Sequence, residues 1–276
     1  MKWLCEGVYS YLESSYLRSN SCQTGLIPLF FLYMKPFLIL QLRKNDLVSK
    51  GEFDAILKYG DMSLENVVRM RMDSDELTEI NLEDYSGIIV GGGPWNVSDA
   101  QEKKSERQLA AEAWLSEILK RIVAEDFPYF GACYGLGLLA REHGGHVSKE
   151  KYGEPAGSVT INLKPEAQED PLLSGLPNTF TAFTGHKEAC QELPDDAVWL
   201  ASSEICPYNI FRIGKNVYTT QFHPELDNVG VCNRIDVYKN EGYFPPEEAE
   251  SLKERCRKEE ISVPMEILRR FVDKYK

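Results

Sequence analysis

Three short strings concentrate the side chains able to do chemistry. Residues 131–135 read GACYG directly after DFPYF, residues 221–225 read QFHPE, and residues 91–94 read GGGP after GIIV. The first has the form Gly-x-nucleophile-x-Gly, in which glycines relieve crowding at a strained turn from strand to helix. A helix starting there points its first amides at the Cys133 sulfur, which favours a thiolate. It also offers the Tyr134 backbone N–H to a developing oxyanion. Taken alone, the string equally fits an inert thiol packed where small residues are needed. In QFHPE, Pro224 pushes His223 toward an extended conformation. His223 and Glu225 then face one side, about 7 Å apart by Cα. Glu225 can bind one imidazole nitrogen and leave the other free to work on a thiol. A strand-end histidine beside a solvated glutamate is the plainer use of the same residues. GGGP can carry backbone amides to a reacting oxygen because no side chain blocks the approach, or it can be an ordinary turn. It lacks the G-x-x-x-x-G-K-[ST] form of a phosphate loop, so it gives no support to nucleotide binding.

The elements that must hold these strings alternate between strand and helix. FLILQL (37–42) reads as the first core strand, a helical stretch surrounds 50–59, and VVRMRM (67–72) and SGIIV are further strands. Segment 105–124 places Ala111, Leu115, Ile118, Leu119 and Ile122 on one helical stripe. FPYF is a buried strand leading into the elbow, and LGLLAREHGG is a helix closed by glycines. Such βαβ units imply a mostly parallel central sheet with helices on both faces. Beyond residue 147, SVTINL, TFTAFT, AVWLASS, YNIFRI and VYTTQF are strands without long helices between them, an antiparallel extension of the same sheet. EEAESLKERCRKEE and PMEILRRFVDKYK read as two C-terminal helices. All three chemical strings thus lie at C-terminal strand ends, where ligand sites of α/β sheets gather.

Composition bounds the partners. Of 276 residues, 31 are Lys or Arg and 43 are Asp or Glu, giving a formal charge of −12. That balance argues against nucleic acid, which requires a basic face. The cysteines number seven and are not spaced as zinc ligands or as C-x-x-C pairs, so a reducing, cytoplasmic setting is expected. LIPLFFLYMKPFLILQL is apolar, but Pro28, Lys35 and Pro36 interrupt it short of the roughly 20 residues a bilayer requires. No membrane is expected as a partner. Met34, immediately before the first core strand, reads as an alternative translation start. Residues 1–33 are then an N-terminal extension of uncertain order, and 34–276 form one domain with C-terminal helices.

Together, IIVGGGP, YFGACYGLGLLA and YTTQFHPE, in that order, resemble the class I (triad) glutamine amidotransferase family over roughly residues 37–226. Within it, the chain is similar to stand-alone proteins like the glutaminase domain of GMP synthase. The resemblance implies a flavodoxin-like α/β core. It implies Cys133 as nucleophile, His223 as general base then acid, and Glu225 as the carboxylate that orients it. Gly92 or Gly93 and Tyr134 become the oxyanion donors. Thr184, Gly185 and His186 in AFTGHKE fall where the family places a substrate-contacting loop, although His186 fits a hydrogen-bonded structural histidine equally well. The implied chemistry is hydrolysis of the glutamine side-chain amide through a γ-glutamyl thioester, with no metal or organic cofactor. Ammonia would pass to a separate synthetase partner. A γ-glutamyl peptidase acting alone and a non-catalytic regulatory relative are the alternatives. One position departs from the family pattern: Gly137, four residues after the nucleophile, stands where a substrate-holding glutamine is usual.

Overall fold

β1 (Phe37–Gln41) is buried along its whole length because both of its faces are covered. Leu38 and Leu40 point into one apolar layer, and Phe37 and Ile39 into the other. The structure is a computed structural model and describes residues 35–276. The expected extension 1–33 and its Met34 start lie outside the described residues. After β1 come α1 (Asp46–Gly60), β2 (Val67–Arg71), β3 (Gly87–Val90), α2 (Glu106–Glu125), β4 (Tyr129–Ala132) and α3 (Tyr134–Glu142). Next are β5 (His146–Ser148), β6 (Glu154–Leu163), β7 (Thr179–His186), β8 (Ala189–Glu192), β9 (Val198–Ser202), β10 (Ile210–Ile213) and β11 (Val217–Thr220). The chain closes with α4 (Asn228–Tyr238), α5 (Ala249–Cys256) and α6 (Val263–Tyr275).

Nine strands form one sheet in the order β2-β1-β3-β4-β11-β10-β9-β6-β7, and β5 pairs with β8 in a small second sheet. Strands β2, β1, β3, β4 and β11 run parallel. The remaining neighbours are antiparallel. The α/β class, the parallel core and the antiparallel extension are as the sequence implies, with one reassignment. VYTTQF belongs to the parallel set, because β11 lies beside β4 with Thr220 opposite Ala132. Its strand ends at Thr220, and Pro224–Glu225 form a turn, so HPE is not the extended segment that its proline implied.

The helical stripe on α2 packs with α3 on one face of the sheet: Leu115, Ile118, Leu119, Ile122, Leu136 and Leu139 share a core with Leu38 and Val90. On the other face, Phe53 and Ile56 of α1 and Leu268, Phe271 and Val272 of α6 cover Ile39, Ile89 and Phe130. A third cluster seats α4 and α5 against Phe183 of β7. Helix α4 left no sequence signal strong enough to be read, because its apolar positions, Val231 and Ile235, are few. An Asp227 cap on the Gly230 amide, at 2.8 Å, starts it.

The elbow after β4 depends on close approach. The Tyr129 hydroxyl donates to the Gly135 carbonyl at 2.9 Å. A Cβ on Gly131 would lie 2.6 Å from that hydroxyl and 2.8 Å from the Gly135 carbonyl carbon. Gly131→Ala is therefore expected to cost about 1–3 kcal/mol as an overpacking change, read as a lower urea midpoint. An unchanged midpoint would mean that the turn relaxes around the methyl group.

Candidate active site

Adjacent parallel strands β3, β4 and β11 end at one edge of the sheet and release GGGP, Cys133 and QFHPE side by side. The Cys133 amide donates to the Thr220 carbonyl at 2.7 Å, tying the elbow to the strand that leads to His223. Cys133 has φ 51° and ψ −95°, a conformation costly for a residue with a side chain. Such strain persists where surrounding contacts over-determine it, and here the packing of Gly131, Gly135 and Tyr129 does so. The turn releases the thiol from the sheet at the N-terminus of α3, whose first-turn amides, Tyr134 among them, have no partners within the helix.

His223 and Glu225 are buried and in contact, Nδ1 to Oε1, at 3.1 Å. The carboxylate thus orients the ring, and Nε2 faces the cleft that Cys133 also lines. Gly92 lies directly against the imidazole: a Cβ there would fall 2.3 Å from Cε1 and 2.9 Å from Nε2. A Cβ on Gly93 would fall 1.9 Å from Leu42 Cδ1. No other residue fits at either position, which brings a side-chain-free backbone up to the thiol.

A buried ionic network extends behind the histidine. Arg234 Nη2 donates to Glu225 at 2.6 Å and to Glu52 at 3.2 Å. Arg43 Nε donates to Glu52 Oε1 at 3.0 Å, and Gln41 Nε2 donates to Glu52 Oε2 at 2.8 Å. Burial favours a neutral Glu225, but His223 and Arg234 outweigh it and hold the carboxyl well below the usual range. His223 is pushed below its ordinary value by burial and then by Arg234, against the pull of Glu225. Glu52, His223 and Glu225 bring their ligand atoms within 4.8 Å of one another. Those carboxylates are already committed to two guanidiniums, so the trio reads as an ion-pair network and carries no metal assignment.

Burial pushes the Cys133 thiol up to about 12, and nearby Arg43 lowers it only in part. Both shifts favour the neutral forms, a thiol and an imidazole that line the same cleft. Desolvation thus opposes the thiolate that the helix terminus favours.

The AFTGHKE strand, β7, divides its roles. Thr184 and Gly185 line the cleft on the His223 side. His186 has both ring nitrogens occupied, by Glu154 Oε2 at 2.9 Å and by the Glu188 carbonyl at 2.8 Å. That geometry is structural and leaves His186 no nitrogen for a substrate. The next carboxylate, Glu188, was not singled out from the sequence. It accepts from the Val97 and Ser98 amides at 2.8 and 2.9 Å and from the Ser98 hydroxyl at 2.7 Å. Its Oε1 lies 3.5 Å from where a Cβ on Gly137 would stand. The space left by the missing glutamine is thus bordered by a fixed carboxylate. Arg43, Arg234 and Glu52 were also missed. Arg43 had a readable signal, since it follows a core strand at the same sheet edge as the three strings.

Comparison with known proteins bears on this geometry. The family model "Glutamine amidotransferase class-I" matches residues 55–229. The chain belongs to the class-I glutamine amidotransferases. It is 29% identical over 167 residues to a glutamine-hydrolyzing GMP synthase subunit of Thermoplasma volcanium, covering 60% of this chain and 74% of that protein. It is 32% identical over 159 residues to the protein of the same name from Methanococcus vannielii, covering 57% and 74%. A glutamine amidotransferase structure from Thermotoga maritima superposes with TM-score 0.70 at 21% identity, covering 88% of this chain and 99% of that one. Family membership makes the chain an enzyme of this class. Among the described residues, no helix is long and apolar enough to cross a membrane.

A neutral resting thiol has a measurable consequence. Alkylation of Cys133 by iodoacetamide, corrected with Cys133→Ala, should keep rising through the alkaline range. A plateau below neutral pH is the signature of a thiolate–imidazolium pair and would contradict the neutral assignment.

Proposed function

We propose that Cys133, His223 and Glu225 hydrolyse the side-chain amide of glutamine through a γ-glutamyl thioester. One observation carries the reading. A cysteine in strained backbone shares a cleft with a buried histidine whose far nitrogen is held by an ionised carboxylate, the arrangement that activates a nucleophile. His223 Nε2 takes the thiol proton as sulfur attacks the amide carbon. The oxyanion is met by the backbone N–H groups of Gly92 or Gly93 and of Tyr134. His223 then delivers the proton to nitrogen, the C–N bond breaks and ammonia leaves. Water, deprotonated by the same imidazole, opens the thioester to glutamate. Glu225 keeps its charge throughout, stabilises the imidazolium and moves no proton.

Glu188 has a role in this scheme. A carboxylate offers about four acceptor positions, and Val97 and Ser98 use three of them. The fourth, toward Gly137, suits the α-ammonium of a glutamyl group. Thr184 and Gly185 border the other side of the reacting carbon. The Thermoplasma and Methanococcus relatives are named as parts of a GMP synthase, which supports a separate synthetase as recipient of the ammonia. This chain's glycine turn has no phosphate-loop form with which to activate an acceptor itself.

A chloroketone analogue of glutamine should label Cys133 and fail to label Cys133→Ala. His223→Ala should lower kcat by about 10²–10⁴-fold, the usual worth of a positioned acid–base group, and Glu225→Gln should lower it by less. Full turnover in His223→Ala would refute the triad.

Gly137→Gln tests the Glu188 assignment. The new side chain would run toward Val97 and Glu188 and should depress kcat/KM for glutamine and for γ-glutamyl dipeptides alike. A gain for glutamine would mean that position 137, rather than Glu188, holds the glutamyl group.

A further inference from the structure

The triad and the glutamyl contacts leave one feature unexplained. Arg43 is 4% exposed and spends its Nε on Glu52, yet its buried Nη2 has no hydrogen-bond partner among the described residues. The same holds for Arg234 Nη1 and for the Thr184 and Tyr238 hydroxyls, and all four residues line the cleft that contains Cys133 and His223. Buried polar atoms are rarely left in this state, and each requires an explanation. Four of them around one cleft are explained together by a ligand.

Their chemistry defines that ligand. A guanidinium has donors and no acceptor, and its planar fork matches a carboxylate. Glu52 holds the Arg43 charge in place although burial opposes it, so the cation is permanent. A Cβ on Gly92 would sit 3.1 Å from Arg43 Nη2 and 2.9 Å from His223 Nε2. The free guanidinium nitrogen and the nitrogen that protonates the leaving amine therefore both lie within 3.1 Å of that one point. Beyond it the wall is apolar and aromatic, with Ile235, Tyr243 and Phe244, and Tyr238 adds its buried hydroxyl. Gly137 and Glu188, proposed above for the glutamyl part, line a different recess that meets this one at Cys133, Gly93, Gly185 and Tyr243.

The His223 side is thus the leaving-group side, and ammonia requires neither a carboxylate receptor nor an apolar wall. We propose that this recess binds the leaving amine of a γ-glutamyl dipeptide, with Arg43 receiving the α-carboxylate of the released amino acid. The inference rests on the amidohydrolase reading and extends its substrate class. In the reaction, sulfur bonds to the γ-carbonyl carbon, the C–N bond breaks and His223 gives its proton to the amino acid nitrogen. Water then cleaves the thioester, so one dipeptide and one water yield glutamate and one free amino acid.

The test compares γ-glutamyl-phenylalanine with its C-terminal amide, and both with glutamine, in the wild type, Arg43→Gln and Arg43→Lys. The wild type should prefer the free carboxylate by about tenfold or more in kcat/KM, the scale of one charge-assisted hydrogen bond. Arg43→Gln should bring that ratio toward one, and Arg43→Lys should retain part of it. Equal use of the two dipeptides by the wild type overturns the proposal, with no need for a folded variant. So does turnover of glutamine without either dipeptide, an outcome that leaves the amidohydrolase reading standing. A ratio unchanged in a folded Arg43→Gln also overturns it, as does a raised KM for glutamine alone, which would assign Arg43 to the glutamyl carboxylate. No turnover of any substrate, with Cys133 unlabelled by the chloroketone, removes the amidohydrolase reading and the proposal with it.

Discussion

Two carboxylates and two guanidiniums are buried together behind the imidazole, and the site depends on their mutual satisfaction. Glu225 can hold His223 only while it is ionised, and it is buried, where an isolated charge is very costly. Arg234 supplies the compensating cation and bridges Glu225 to Glu52, which in turn anchors Arg43 and accepts from Gln41. The network ties α1, α4, the end of β1 and the turn after β11 into one electrostatic unit. Removing one member of such a buried pair costs about 3–5 kcal/mol, much of it from the charge left unpaired. The geometry of the imidazole is therefore set in part by α1 and α4, outside the elbow that carries the thiol.

The elbow meets a different constraint. Its backbone is strained at Cys133, and the strain is held by contacts that leave no room for a Cβ at Gly131 and little at Gly135. The sulfur gains a position clear of the sheet and loses solvation. Burial raises the thiol while burial and Arg234 lower the histidine, so both shifts favour the neutral forms. A neutral imidazole can accept a proton at once, and a neutral thiol is protected from indiscriminate reaction. Proton transfer and attack are thereby coupled to the arrival of a carbonyl whose oxygen the backbone amides can stabilise.

The parallel core and the candidate triad were legible in the sequence because both are written locally. Apolar runs such as FLIL and GIIV are buried on two faces, the α2 stripe repeats at helical spacing, and GACYG and QFHPE confine their chemistry to five residues each. Three features escaped for physical reasons. Strand β11 was grouped with the antiparallel strands because pairing direction depends on a neighbour, β4, that lies far away in sequence. Helix α4 is short and weakly amphipathic, and its role is electrostatic, through Arg234. The Arg43–Glu52–Arg234–Glu225 network joins residues up to 182 positions apart, so no window of sequence contains it. His186 was balanced between two uses, and only its two partners, Glu154 and the Glu188 carbonyl, assign its nitrogens.

Gly137 connects these levels. A glycine one turn into a helix is locally unfavourable relative to alanine by about 1 kcal/mol, and its immediate surroundings do not require it. The nearest atoms to a Cβ there, Val97 Cγ2 and Glu188 Oε1, lie 3.4 and 3.5 Å away. A methyl group would fit, so the backbone does not dictate glycine. A long side chain would displace a carboxylate already fixed by two amides and a hydroxyl. The departure from the family pattern is thus intelligible as an exchange. The polar group bordering this recess comes from the turn between β7 and β8 instead of from α3, and Glu188 offers a carboxylate where glutamine would offer an amide. Glu188 and Arg43 line two recesses that meet at Cys133, one offering a carboxylate and the other a guanidinium. On the reading proposed above, a substrate with an ammonium at one end and a carboxylate at the other would align with both in one direction, with its scissile amide between Cys133 and His223.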